Sequence, residues 1–339
     1  MSEVVHVFRW DLDKTYLRTE FDSIRDLWRS ATERASDKKS FPGASALLRS
    51  LRQSHGHRIC IVSGSPSQMR SVLTAKLALD GVDFDEFVLK NNLRNITKFR
   101  FRALRSQIPY KLPALLESRS GLSGCPPETL FGDDAEADAI IYCLYADILR
   151  GAVSHHELRR VMVAARAYED QIERAVSLCR IVKQSDSVNR ILIHLDRRSP
   201  TAQFKKFGQR LVPIYNYLQA ALVLYSDKLI SAPQVLFVAR DMLASKEFEL
   251  STLANSFQDI IRRGRISSTV AGELCQELRI VESEGSDQTP TAKEIAWAFA
   301  ERIRALGGSA PIAHSPEVPK LDYVSLVDAE YRRNRKDHR

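Results

Sequence analysis

Four short apolar runs, separated by stretches with helical spacing, constrain the fold of the first two-fifths of this chain more than any other feature. Such runs are typical of parallel strands that are covered by helices on both faces. We predict strands at Val4–Trp10, Arg58–Val62, Phe84–Leu89 and Thr129–Gly132, and a fifth, after a gap, at Arg190–Leu195. Right-handed crossovers would order them into a Rossmann-like, doubly wound parallel sheet of the α/β class.

The rest of the chain favours helices. A helical insertion at about 150–188 separates the fourth predicted strand from the fifth, and beyond Pro200 the strand signals stop. Helical patterns occupy Phe204–Tyr225, Pro233–Ala244, Leu250–Arg262, Val270–Ile280 and Thr291–Leu306. The sequence therefore predicts an α/β domain at residues 1–200, an all-helical C-terminal region at 201–310 and a flexible basic tail at 311–339.

The cysteines, the apolar runs and the net charge indicate the cellular compartment and the kinds of partner to expect. The five cysteines are odd in number and never spaced as Cys-x-x-Cys, which argues against a disulfide framework or a zinc site and favours a reducing cytoplasm. No apolar run reaches the roughly 18 to 20 residues of a membrane span, so we expect no transmembrane segment. The net charge of +8 includes a basic run at Arg332–Arg339. Without interleaved aromatic residues this run predicts a solvated tail rather than a nucleic-acid binder.

Polar residues suited to phosphate chemistry lie at the predicted strand ends, where ligands bind in an open parallel sheet. These residues are Asp11, Asp13 and Thr15 after the first strand, Ser63 and Gly64 after the second, Asp133 and Asp138 after the fourth, and Lys111 before a helical stretch. Carboxylates from two neighbouring strands would converge on one hard cation such as Mg²⁺. Each residue alone also fits a turn, a helix cap or the surface, but together they favour a phosphoryl site.

The spacing of two residues between Asp11 and Asp13 indicates that the two carboxylates have different chemical roles. If the strand ends at Asp11 and the chain then bends, the first carboxylate can attack phosphorus while the second protonates the leaving oxygen. Ser63 can donate a hydrogen bond to a phosphate oxygen, and Lys111 supplies a fixed positive charge.

At these residues the chain resembles the haloacid dehalogenase superfamily. Its four motifs are matched by Asp11-x-Asp13-x-Thr15, by Ser63, by Lys111, and by Gly132-Asp133 with Asp138. The resemblance implies a hydrolase that cleaves phosphate monoesters through an aspartyl-phosphate, with Asp11 and Asp13 as catalytic residues. It further implies phosphate contacts from Thr15, Ser63, Gly64 and Lys111, and Mg²⁺ ligands among Asp11, Asp13, Asp133 and Asp138. The sequence leaves open whether Asp134 or Asp138 is the second metal-site acid of the fourth motif.

Within that superfamily, Ser63-x-Ser65-Pro66 and a fourth motif ending at Tyr142 are similar to the actin-patch type of phosphatidate phosphatase. The resemblance covers residues 4–200. Lys14 stands where that group usually carries an acid, and the helical insertion interrupts the domain. The short spacing between motifs leaves little room for a large cap domain. The expected substrate is therefore a bulky phosphate ester, either phosphatidate at a membrane surface, which would make the protein peripheral, or another phosphorylated molecule.

Two other classes of protein share part of this pattern. A response-regulator receiver domain also phosphorylates an Asp on a parallel sheet, but it carries its acid pair before the phosphoacceptor strand, whereas here an acid cluster follows Lys111. A non-catalytic protein that senses phospholipid or holds a partner would use the same fold without turnover. The presence of Asp13 favours the enzyme, and the helical region leaves a scaffold role open. The sequence does not indicate an oligomeric state.

Overall fold

The computed structural model describes residues 4–18, 38–90, 107–135, 137–281, 290–306 and 320–336. The chain divides into two compact units. The first unit comprises Met1–Lys39, Gly56–Pro213 and Val318–Arg339, and the second comprises Ser40–His55 and Ile214–Glu317.

A single parallel sheet of six strands forms the centre of the first unit, which confirms the predicted α/β class. Its strands are β1 His6–Trp10, β2 His57–Pro66, β3 Glu86–Lys90, β4 Glu128–Asp133, β5 Val188–His194 and β6 Leu211–Ile214. Their order across the sheet is β3-β2-β1-β4-β5-β6. The order reverses between β1 and β4, and such a switch point opens a crevice beyond the carboxyl ends of the two strands.

Helices account for most of the remaining described residues. In chain order they are α1 Ala44–Gln53, α2 Arg70–Leu79, α3 Ile108–Ser120, α4 Asp138–Leu149, α5 His155–Ala164, α6 Glu169–Ile181, α7 Tyr217–Ser226, α8 Ala232–Ala244, α9 Leu250–Arg262, α10 Ser268–Ile280, α11 Ala292–Arg304 and α12 Tyr323–Lys336. The pair α5 and α6 confirms the helical insertion between the fourth and fifth strands. Ser154 starts this pair by accepting a hydrogen bond from the backbone N–H of Glu157.

The prediction of one helix over Phe204–Tyr225 is wrong. Residues Thr201–Phe207 form a 3₁₀ helix, Leu211–Ile214 form β6, and α7 begins after Asn216, whose side chain accepts from the backbone N–H of Gln219. The apolar run that contains Leu211 is too short for its periodicity to separate strand from helix. Pro213 lacks an N–H donor, and a proline is tolerated here because β6 is an edge strand.

The flexible basic tail predicted at 311–339 is also corrected, although residues 311–319 and 337–339 lie outside the described part. Residues 323–336 form α12, whose Tyr323 and Val327 are buried in the core of the first unit. Tyr323 donates a 2.7 Å hydrogen bond to Asp147 of α4, and Tyr331 donates one to the carbonyl of Ala165. The apolar residues within this basic segment recur at helical spacing. The segment therefore forms a helix that buries its apolar face, although its net charge suggests a solvated tail.

The sequence predicts one domain boundary at residue 200, whereas each of the two units in the structure is made of separate segments of the chain. Residues 201–213 belong to the sheet unit, and residues 40–55, expected in the α/β domain, belong to the helical unit. There α1 packs against α8 with Ala44, Leu47, Leu48 and Leu51 buried. Because α8 lies more than 170 residues after α1 in the chain, the sequence around α1 contains no local signal of this contact.

A buried ionic network crosses the sheet beneath the carboxyl ends. Arg9 of β1 and Arg119 of α3 both bind Glu128 of β4, at 2.5 and 2.6 Å, and Tyr145 donates to the same carboxylate at 2.9 Å. All three charged side chains are at most 2% exposed. Two guanidinium groups thus neutralise one buried carboxylate and connect three elements of the first unit.

Candidate active site

Asp11 occupies the switch point of the sheet. It directly follows β1, its backbone N–H donates to the carbonyl of Phe131 in β4, and it is fully buried. Oδ1 of Asp11 lies 2.8 Å from Nζ of Lys111, and Oδ2 accepts a 3.2 Å hydrogen bond from the hydroxyl of Thr15. These two contacts, one to each oxygen, hold the carboxylate in its orientation at the crevice.

Three buried carboxylates meet in this crevice. Asp11, Asp133 at the end of β4 and Asp138 at the start of α4 each offer an oxygen within 4.8 Å of the others. Gly132 makes this approach possible, because a Cβ there would lie 2.5 Å from Oδ2 of Asp138 and 2.7 Å from the ring of Tyr142. The structure therefore brings together acids from two strands and a helix, as the sequence predicts.

Lys111 lies between two of these acids. Its Nζ is 2.8 Å from Asp11 and 2.7 Å from Asp138, and its side chain is fully buried. Buried carboxylates that lie this close together raise the free energy of one another's charged form, which a bound cation would lower. An all-oxygen donor set with this charge fits a hard divalent cation such as Mg²⁺. Lys111 lies inside α3 rather than before a helix.

The carboxylate of Asp13 points to a different set of partners. Its Oδ2 accepts hydrogen bonds from the hydroxyl groups of Ser63 at 2.9 Å and Ser65 at 2.5 Å. Among the described residues, the acid cluster does not include this carboxylate. Asp13, which the sequence predicts as a metal ligand together with Asp11, Asp133 and Asp138, thus has its carboxylate engaged by two hydroxyl groups of β2. Its role at a metal stays a prediction.

The turn after β1 explains how two acids two residues apart reach different partners. Lys14 adopts a left-handed backbone conformation with φ of 59°, and the backbone N–H of Tyr16 and of Leu17 donate to the carbonyl of Leu12. This tight turn reverses the chain immediately after Asp13. His194 of β5 is buried with Nδ1 3.3 Å from the carbonyl of Lys14, and burial lowers the pKa of its imidazole.

Asp134 and Asp138, between which the sequence leaves the second acid of the fourth motif open, have different contacts. Asp134 accepts hydrogen bonds from the backbone N–H groups of Arg197 at 2.8 Å and Ser199 at 2.9 Å, so it organises the loop after β5. Asp138 belongs to the acid cluster and contacts Lys111. Asp138 is thus the second acid of this motif in the crevice.

The structure places each predicted site residue at one edge of the sheet, with two differences in detail. Ser63, predicted to contact phosphate, donates to Asp13, and Thr15, predicted to do the same, donates to Asp11. Gly64 follows Ser63 and packs against the side chain of Gln107. Sequence reasoning did not single out Ser65 for the site, although its place two residues after Ser63 on one strand puts both on the same face.

Comparison of the chain with family models, with curated proteins and with solved structures found no match. None of the helices in the described ranges combines the length and the apolar character that a membrane crossing requires.

Proposed function

We propose that this protein is a Mg²⁺-dependent phosphohydrolase of the haloacid dehalogenase type that cleaves phosphate monoesters through an aspartyl-phosphate on Asp11. The observation that carries the proposal is the position of Lys111, which bridges Asp11 and Asp138 in a buried crevice shared with Asp133. A fixed ammonium group and a bound cation at a carboxylate nucleophile suit a reaction in which a dianionic phosphate approaches that carboxylate.

In the first half of the proposed reaction, an oxygen of Asp11 attacks phosphorus and the bond between phosphorus and the ester oxygen breaks. The departing oxygen takes a proton from Asp13, so the alcohol leaves neutral. Ser63 and Ser65 both donate to Oδ2 of Asp13, which holds the carboxyl group of the proposed acid in one position.

In the second half, water attacks the phosphorus of the aspartyl-phosphate. Asp13, now ionised, accepts a proton from this water, and the bond between phosphorus and Asp11 breaks to release inorganic phosphate. Lys111 and Thr15 keep the carboxylate of Asp11 in one orientation through both halves.

Asp11, Asp133 and Asp138 would hold the cation. Bound Mg²⁺ would neutralise part of the charge of the phosphate and of the transition state. Ser63-x-Ser65-Pro66 and Tyr142 are similar to residues of phosphatidate phosphatases. This similarity supports phosphatidate or another bulky phosphate ester as the first substrate to assay.

The test is hydrolysis of p-nitrophenyl phosphate and of phosphatidate in vesicles, with and without Mg²⁺. We expect Mg²⁺-dependent release of inorganic phosphate from at least one ester, and loss of that activity by a factor of about 10³ or more in Asp11→Asn. Asp83→Asn, at an exposed aspartate, is the matched control and should retain full activity. Absence of turnover in the wild type, or equal turnover in Asp11→Asn, would overturn the proposal.

A further inference from the structure

Two polar side chains at the start of α3 have no role in the chemistry proposed above. Gln107 immediately precedes α3, and its carbonyl accepts from the backbone N–H groups of Tyr110 at 3.1 Å and Lys111 at 2.7 Å. Residues three and four apart on a helix share one face. Gln107, Tyr110 and the active-site Lys111 therefore lie on the same side of the first turn.

The carboxamide of Gln107 lies against the loop that carries Ser63. A Cβ added to Gly64 would be 2.7 Å from both Nε2 and Oε1 of Gln107, so glycine is required for this approach. Oε1 of Gln107 is buried and accepts no hydrogen bond from any residue that the structure describes. A buried carbonyl oxygen without a donor is costly and marks a place where a ligand can contribute one.

Tyr110 presents a second polar atom of this kind. Its hydroxyl is buried and has no hydrogen-bond partner within the described ranges. The ring is contacted by Lys90 at the carboxyl end of β3, with Nζ 5.7 Å from the ring centroid, which places the tyrosine at the edge of the sheet where the acids lie. Burial raises the pKa of Tyr110, with a counteracting effect of Lys111 and a further raising effect of Asp11, so the phenol stays a donor.

We propose that Gln107 and Tyr110 form a subsite for the alcohol portion of the substrate, and that this alcohol carries a free hydroxyl next to the phosphorylated carbon. A hydroxyl can donate to Oε1 of Gln107 and accept from the hydroxyl of Tyr110, whereas an ammonium group can only donate. The inference rests on the proposed phosphatase function and narrows its substrate class to polyol phosphates. Phosphatidate, whose neighbouring oxygens are esterified, offers no such donor.

The test compares glycerol 3-phosphate with n-propyl phosphate, which has the same carbon chain without the hydroxyls, in the presence of Mg²⁺. We expect wild-type kcat/KM to favour glycerol 3-phosphate by about tenfold or more, because a site built for a hydroxyl discriminates against the analogue that lacks it. Gln107→Leu and Tyr110→Phe should each remove most of this preference, chiefly through an increase in the KM for glycerol 3-phosphate.

Tyr225→Phe provides the matched control, because its hydroxyl donates to Glu277 in the second unit. This variant should keep the wild-type preference. Tyr110→Phe removes only one oxygen atom, so it keeps the test decisive if Gln107→Leu folds poorly. An unchanged preference in both site variants, or an equal loss for both esters, would overturn the subsite while leaving the phosphatase function intact.

Binding to Asp11→Asn separates the two proposals when hydrolysis is absent. Calorimetry with Mg²⁺ should show tighter binding of glycerol 3-phosphate than of n-propyl phosphate, and the additional Gln107→Leu change should abolish the difference. That result in a protein without turnover would retain the subsite and reject hydrolysis. Equal affinity for the two esters, or no binding of either, would reject the subsite.

Discussion

The Nζ atom of Lys111 in α3 donates a 2.7 Å hydrogen bond to Oδ1 of Asp138, the first residue of α4. The same atom lies 2.8 Å from Asp11, so one ammonium group connects the nucleophile expected from β1 to the acid that follows β4. All three side chains are inaccessible to solvent. Among the contacts that the structure describes, this ammonium group therefore contributes directly to the electrostatic balance of the crevice.

Lys111→Met is expected to reduce phosphatase activity by a factor of about 10³, because the phosphate loses a preorganised charge partner. The substitution removes the ammonium group that contacts Asp11 and Asp138, and the protein without Mg²⁺ should lose about 3 to 5 kcal/mol of stability. Added Mg²⁺ should raise the Tm of this variant more than that of the wild type, which calorimetry can measure. The exposed Lys293→Met is the control. A similar Tm response in both proteins would contradict the role of Lys111 in charge balance.

Asp13→Asn is expected to separate the two halves of the reaction. p-Nitrophenolate leaves without a proton donor, so the first half should proceed, while the second half should slow by a factor of about 10² to 10⁴ because water has lost its base. Rapid mixing should then show a burst of p-nitrophenol close to the enzyme concentration, followed by a slow steady state. Alkyl phosphates, which need the proton, should show no burst. A variant that gives linear kinetics at the wild-type rate would exclude Asp13 from proton transfer.

Gly132→Ala tests the close approach between β4 and α4. The added Cβ would lie 2.5 Å from Oδ2 and 2.6 Å from Cβ of Asp138, so Asp138 has to move out of the acid cluster. We expect at least tenfold loss of activity and a smaller increase in Tm on addition of Mg²⁺. Gly272→Ala is the control, because an added Cβ there meets nothing within 4 Å, and in the helix α10 it should stabilise by about 0.5 to 1 kcal/mol.

His6→Gln is expected to weaken the acid sensitivity of the fold. Burial and the nearby His57 lower the pKa of His6 from 6.5 to about 4, so the unfolded chain binds a proton more readily than the folded one between these values. The contribution of His6 to the free energy of unfolding is therefore fully present above pH 6.5. As the pH falls towards 4, the free energy of unfolding decreases by about 3 kcal/mol because of this group. Urea denaturation at several pH values should show a shallower decline in His6→Gln. Parallel pH profiles would contradict this account.

Glu128→Gln is expected to destabilise the first unit by about 3 to 5 kcal/mol. The substitution removes the buried negative charge that Arg9 and Arg119 share, and leaves both guanidinium groups in the core without a counter-ion. Urea denaturation measures this loss directly. Glu173→Gln, which breaks an exposed pair with Arg159, should have no measurable effect. Equal stability of the two variants would show that the buried network contributes little.

Much of the sheet and its acids can be predicted from the sequence because both depend on local signals. Apolar runs mark β1, β2, β3 and β4, and the polar residues of the site follow those runs directly or begin the next helix. The carboxyl ends of parallel strands share one edge, so the convergence of Asp11 and Asp133 follows from the topology alone. The order of strands that creates the switch point was not predicted and comes from the structure.

The features that were not predicted depend on side-chain direction or on distant contacts. The sequence assigns Asp11 and Asp13 different roles, but it does not show that the first carboxylate contacts Lys111 and the second contacts Ser63. Gln107 lies against the loop that carries Ser63 because Gly64, more than forty residues earlier, leaves room for its carboxamide. Such contacts have no periodicity and no motif in a single sequence.

The helical unit combines an early segment of the chain with a late one, so it cannot fold completely until the late segment has been synthesised. α1 leaves the ribosome about 160 residues before the first residues of α7, which at roughly 5 to 20 residues per second is a delay of roughly 10 to 30 s. During that time the apolar face of α1 lacks the helices that cover it in the finished protein. Each unit is completed only when a late segment returns to an early one, so neither can reach its native core on a nascent chain that stops at residue 200.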